Sequence, residues 1–179
     1  MAEAATARHL GGRLIWLALS AAIIFVQLLP LDTVPRGWAG PDWLLVLTIV
    51  WVARRPEFAP APLIAALFLL ADLLFQRPPG LQAGLALIFT EMLRNRAAGL
   101  RQLPFPLEWA IVGIGILTIA LLQRVVLAMT LTPQPGATLT LMQAASSTLV
   151  YPIIVFLAYI AFGISRPAPG EVDALGHRL

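Results

Sequence analysis

Apolar residues in this chain do not alternate with polar ones; they run in blocks. Six stretches stand out, at residues 14–31, 43–53, 58–75, 81–93, 107–131 and 141–164, divided by short segments rich in proline, glycine and arginine. Crossing the roughly 30 Å hydrocarbon core of a bilayer takes about 20 apolar residues of helix. The first, fifth and sixth stretches meet that length, whereas the second and fourth are short. The uncharged run from Trp43 to Ala53 makes only about 16 Å of helix, so it needs packing inside a bundle or against a partner. The connections at 33–41, 76–80 and 132–136 carry turn residues, as in Pro133-Gln134-Pro135-Gly136, and no charge falls between Val125 and Ser165. The pattern predicts an all-α integral membrane protein: one domain over residues 1–179, a six-helix transmembrane bundle with short loops.

Arginine placement tests that count independently, because loops kept in the cytoplasm carry excess basic residues. With the N-terminus inside, the inner segments hold nine arginines (8, 13, 54, 55, 94, 96, 101, 166 and 178), the outer loops hold only Arg36 and Arg77, and Arg124 lies within the fifth stretch. The alternation fails if the second or fourth stretch does not cross. It therefore predicts a multi-pass protein of the inner-membrane type with both termini cytoplasmic. Arg8 and Arg13 ahead of an apolar run resemble the start of a signal peptide. However, Leu29-Pro30-Leu31-Asp32 follows where a small-x-small cleavage site is needed, so the first stretch is read as a retained anchor.

Composition agrees. The chain is 59% hydrophobic and 12% charged, against roughly 45–50% and about 25% in soluble domains. The net charge of +3 comes from arginines between apolar runs, which points to topology and lipid headgroups rather than nucleic acid. The absence of cysteine excludes disulfides, thiolate catalysis and cysteine metal sites.

Four ionisable residues fall within or at the edges of the apolar stretches, and such groups are functional candidates because burying charge in hydrocarbon is costly. Asp72, near the outer end of the third stretch, reads as an interfacial anchor or a cap for the Gln76–Gly80 turn, or, in the sharper reading, as an ion-pair partner of Arg124 in the same leaflet. Glu91 precedes Arg94 by three positions, which places both on one helix face as a snorkelling pair. Glu108 opens the fifth stretch, where negative charge suits the helix dipole. His9 and His177 lie far apart in the tails. The hydroxyls of Ser146-Ser147-Thr148 suit backbone carbonyls better than nucleophilic chemistry, so no catalytic residue, cofactor or metal site is expected. Trp16, Trp38, Trp43, Trp51 and Trp109 near the stretch ends read as an aromatic belt, and Gly113 and Gly115 permit close helix approach.

Several landmarks occur in a familiar order. Gln27-Leu28-Leu29-Pro30 ends the first stretch, and Pro41-Asp42-Trp43-Leu44-Leu45 leads through Trp51 to Pro56. Asp72-Leu73-Leu74 is followed by Pro79-Gly80-Leu81 and Ala83. In these landmarks the chain resembles the rod-shape-determining MreD family of the bacterial cell-elongation machinery. It departs at Gln76, where the family usually has glycine, and at Val50, where it often has tyrosine. The resemblance implies a non-enzymatic scaffold of the bacterial inner membrane that maintains rod shape within the peptidoglycan-synthesising elongation complex. Its implied partners are MreC, other membrane proteins of that complex and, through cytoplasmic loops or indirectly, the filament protein MreB. It also implies a fold similar to the substrate-binding components of vitamin transporters. That relation motivates the alternative of a small-molecule-binding transporter subunit, with Gln27, Asp72, Gln82, Gln123 and Arg124 as possible ligand donors. On the scaffold reading, Pro41, Trp43, Trp51, Asp72, Gly80 and Leu81 form the expected partner surface.

Overall fold

A computed structural model describes residues 2–29 and 37–164 of the chain. Arg36, Arg166, His177, Arg178, the Pro30–Leu31 end of the first stretch and Asp32 lie outside the described residues. Among the described residues there is no strand, and six helices of 12 residues or more are joined by one of six residues. In chain order these are α1 (Ala2–Leu28), α2 (Trp43–Arg54), α3 (Ala61–Leu74), α4 (Leu81–Asn95), the short α5 (Ala97–Gln102), α6 (Phe105–Met129) and α7 (Ala137–Phe162).

Each boundary has a local cause. The Asp42 carboxylate accepts the Leu45 N–H at 3.0 Å and starts α2. Pro56 pushes Arg55 out of helical geometry and ends it. The apolar pattern predicts a third helix from residue 58, but Pro56–Phe58 forms a single 3-10 turn and α3 starts only at Ala61, because Pro60 and Pro62 favour a helix start there over a helix interior. α3 and α6 both close with a Schellman motif. In α3, Arg77 N–H reaches the Asp72 carbonyl and Gln76 N–H the Leu73 carbonyl; in α6, Thr132 and Leu131 bond to Leu127 and Ala128 in the same way. The left-handed residues are Gln76 (φ 54°) and Leu131 (φ 52°), neither of them glycine. Inside α7, Pro152 supplies no N–H to the Thr148 carbonyl. The Trp109 indole of α6 donates to that oxygen instead, at 2.7 Å.

α3 and α4 form one antiparallel hairpin and α6 and α7 another, with α2 packed between α1, α4 and α7. α4 meets α6 where the Phe89 ring lies over Gly115, leaving no space for a Cβ. Residues 44–52 of α2 are all buried, so this 12-residue helix, about 18 Å long, is sheathed by protein rather than lipid. Contacts also fix helix direction. Arg13 and His9 of α1 meet Glu57 and Phe58, Arg94 of α4 meets Pro56 and Ala59, and Arg54 meets Glu108 at the start of α6. Arg13, Arg54, Arg55, Arg94 and Glu108 therefore share one end of the bundle.

Three helical segments are long and apolar enough to cross a membrane: His9–Leu28 of α1, then α6 and α7. α2 and α3 are apolar but shorter. The outer walls of α1, α3, α6 and α7 are apolar, with Phe25, Leu73, Ile114, Met129 and Phe156 among the exposed side chains. The chain is thus an all-α protein of membrane type.

Candidate functional site: polar joints inside the bundle

The polar residues that interrupt the apolar stretches turn inward and join helices. Asp42 is one hub. Besides capping α2, its backbone N–H donates to Ser147 Oγ of α7 at 2.8 Å, and its Oδ2 accepts from Gln82 Nε2 of α4 at 3.1 Å. The Ser147 hydroxyl in turn donates to the Gln143 carbonyl at 2.6 Å, and Ser146 and Thr148 likewise donate to backbone oxygens. One aspartate thereby fastens α2, α4 and α7.

Asp72 is buried, and its Oδ2 accepts the N–H groups of Gly80 (3.0 Å) and Ala83 (3.2 Å). A carboxylate of α3 thus supplies the N-terminal cap that α4 lacks at its own N-cap residue, since Gly80 enters the helix with φ 87° and no side chain. The alternative ion pair with Arg124 is not formed. The Arg124 Nη1 donates to the Pro135 carbonyl (2.8 Å) and Thr140 Oγ1 (3.0 Å), bracing the α6–α7 turn.

The third joint is charged. Arg54 Nη2 lies 2.9 Å from Glu108 Oε1, and the Tyr151 hydroxyl donates to the same oxygen. All three side chains are buried, and Phe105 stacks on the Tyr151 ring with centroids 6.4 Å apart. α2, α6 and α7 converge on one carboxylate oxygen. Glu108 therefore does more than complement a helix dipole, and Arg54, read from the sequence as a loop signal, forms an ion pair inside the bundle. Both sit at stretch ends assigned to the same face, which was the available hint of pairing; Tyr151, inside an apolar run, gave none.

Arg94 pairs with Glu91 at 2.8 Å as its spacing predicts, and its two terminal nitrogens also hold the Pro56 and Ala59 carbonyls at 2.7 and 2.6 Å. A snorkelling pair is thus also the clasp of the α2–α3 connection. The aromatic belt needs correction. Trp38 and Trp43 are exposed, but Trp16 and Trp51 are buried in the core because α2 is enclosed, and Trp51 meets Phe162 edge to face. Of the expected partner surface, Trp51 and Asp72 face inward, Trp43 is open, and Pro41, Gly80 and Leu81 are half-buried.

This arrangement suits mechanical joining of helices: every named carboxylate is engaged by backbone N–H groups, an arginine or a neighbouring side chain. Among the described residues no group of three or more His, Cys, Asp or Glu is placed to hold a metal ion. Compared with family models, curated proteins and solved structures, the chain matches none.

Proposed function

We propose that this chain is a non-enzymatic scaffold of the bacterial cell-elongation complex, acting as MreD family members do by binding MreC in the inner membrane. The observation that carries the reading is the inward direction of the polar groups. Asp42, Asp72, Arg54 and Glu108 brace the chain's own helices, which leaves apolar side walls for partner helices and lipid. On this reading all six long helices cross, with α2 shielded from lipid by its neighbours. Both termini are cytoplasmic, because the arginine-rich end of the bundle belongs inside. Trp43, with Pro41, Gly80 and Leu81 around the opposite end of the bundle, offers the periplasmic surface for MreC, and MreB is reached through the cytoplasmic loops or through other members of the complex.

Purification of the tagged protein from its host in mild detergent, followed by identification of co-purifying proteins, tests this. Recovery of MreC and the elongation synthases is the expected result. Recovery of an ATPase pair with a coupling membrane protein would instead make the chain a small-molecule-binding transporter subunit and overturn the scaffold reading.

A further inference from the structure

A groove of about 770 Å³ opens sideways between α6 and α7, walled by Ala110, Gly113, Leu117, Leu141, Ala144 and Ala145. Its lining is almost wholly apolar, and several of the lining side chains are small. Two contacts tie its helices together. Within the groove, the Thr148 methyl would lie 2.8 Å from a Cβ on Gly113; beyond its Leu117–Leu141 end, Arg124 grips Thr140, the chain neighbour of Leu141. Residues 113, 117 and 124 fall on one stripe of α6, and 140, 144 and 148 on one stripe of α7. Arg124 therefore stands beyond that end of the groove, about 10 Å along the helix past Leu117 and about 16 Å from Gly113, the latter close to the depth of one bilayer leaflet (~15 Å). Only its Nη1 is engaged, by two neutral oxygens, and no acidic side chain among the described residues pairs with it.

We propose that this groove binds one anionic phospholipid, its acyl chain along Gly113, Leu117 and Ala145 and its phosphate on the Arg124 guanidinium. Charge selects this occupant. A cation beyond one end of an open apolar groove complements a molecule that joins a phosphate to a hydrocarbon tail. The lipid belongs to the leaflet away from the arginine-rich end. The inference requires only that α6 and α7 lie in a membrane and does not depend on the scaffold reading.

Native mass spectrometry of the detergent-solubilised protein, titrated with phosphatidylglycerol or phosphatidylcholine of identical chains, tests it. The expected result is one tight adduct, with phosphatidylglycerol preferred about fivefold, as one headgroup charge contact implies. Arg124→Gln should abolish the preference and Arg124→Lys keep it. Ala145→Phe, which fills the groove from its exposed side, should remove the adduct for both lipids. Glycerol 3-phosphate in excess should not displace the lipid. Equal binding of the two lipids, an unchanged adduct in Ala145→Phe, or displacement by glycerol 3-phosphate would each overturn the proposal. An Ala145→Phe variant that loses a co-purifying membrane protein while keeping its lipid would make the groove a helix seat instead. If Arg124→Gln does not fold, the Arg124→Lys and Ala145→Phe results decide.

Discussion

Gln76 and Leu131 pay for two tight turns with backbone strain: each holds the left-handed position of a Schellman motif, where an L side chain costs about 1–2 kcal/mol. Glycine is what that geometry asks for. Gln76→Gly and Leu131→Gly should each raise the melting temperature of the detergent-solubilised protein, with a gain near 1 kcal/mol after the unfolded-state entropy of glycine is set against the relieved strain. Unchanged melting would show that these turns relax. Two serines give a sharper contrast, since both are fully buried. Ser147 Oγ accepts from Asp42 and donates to Gln143, whereas Ser20 Oγ has no partner in the structure. An orphaned buried hydroxyl costs about 1–3 kcal/mol, and removing one partner of a made bond leaves the other orphaned. Ser147→Ala should therefore destabilise by about that amount and Ser20→Ala should stabilise, as thermal unfolding followed by circular dichroism can read directly.

Among the elements, α2 is the one whose place the sequence defined least. Its apolar run and flanking Asp42 and Arg54 were plain, and its shortness signalled packing, but a uniformly apolar helix shows no preferred face. Its neighbours came only with the structure. Hairpins α3–α4 and α6–α7 were legible because proline and glycine turns divide uninterrupted apolar runs. The charged joint was not, since a period of apolar residues carries no record of which two distant ends meet. That joint predicts strong coupling. Glu108→Ala leaves Arg54 buried without its counter-ion and should cost about 3–5 kcal/mol, Tyr151→Phe about 1 kcal/mol, and replacement of both Arg54 and Glu108 by apolar residues less than Glu108→Ala alone. Additive losses in a double-mutant cycle on detergent-solubilised protein would mean that the pair does not act as a unit.

For the molecule as a whole, the contacts that draw Arg13, Arg54, Arg55 and Arg94 to one end turn the arginine count into a testable orientation. The chain has no cysteine, so single cysteines at exposed Asn95 and Thr138 report on the two ends without background. A membrane-impermeant maleimide added to intact spheroplasts should label Thr138→Cys and spare Asn95→Cys until the membrane is opened. The opposite pattern would invert the topology, and labelling of both would show that the two positions do not lie across a membrane. The sheathing of α2 also sets an order of manufacture. The ribosome delivers α2 early, yet Ser147 and Tyr151, which complete the joints at its two ends, belong to α7, the last of the described helices in chain order. Until α7 arrives, Asp42 and the Arg54–Glu108 pair lack part of their hydrogen bonding. A chain cut after Met129 should therefore be recognised as unfinished by membrane proteases, with a shortened half-life in pulse-chase labelling. The seating of α2 thus waits for α7, which makes that helix a proofreading step as much as a structural one.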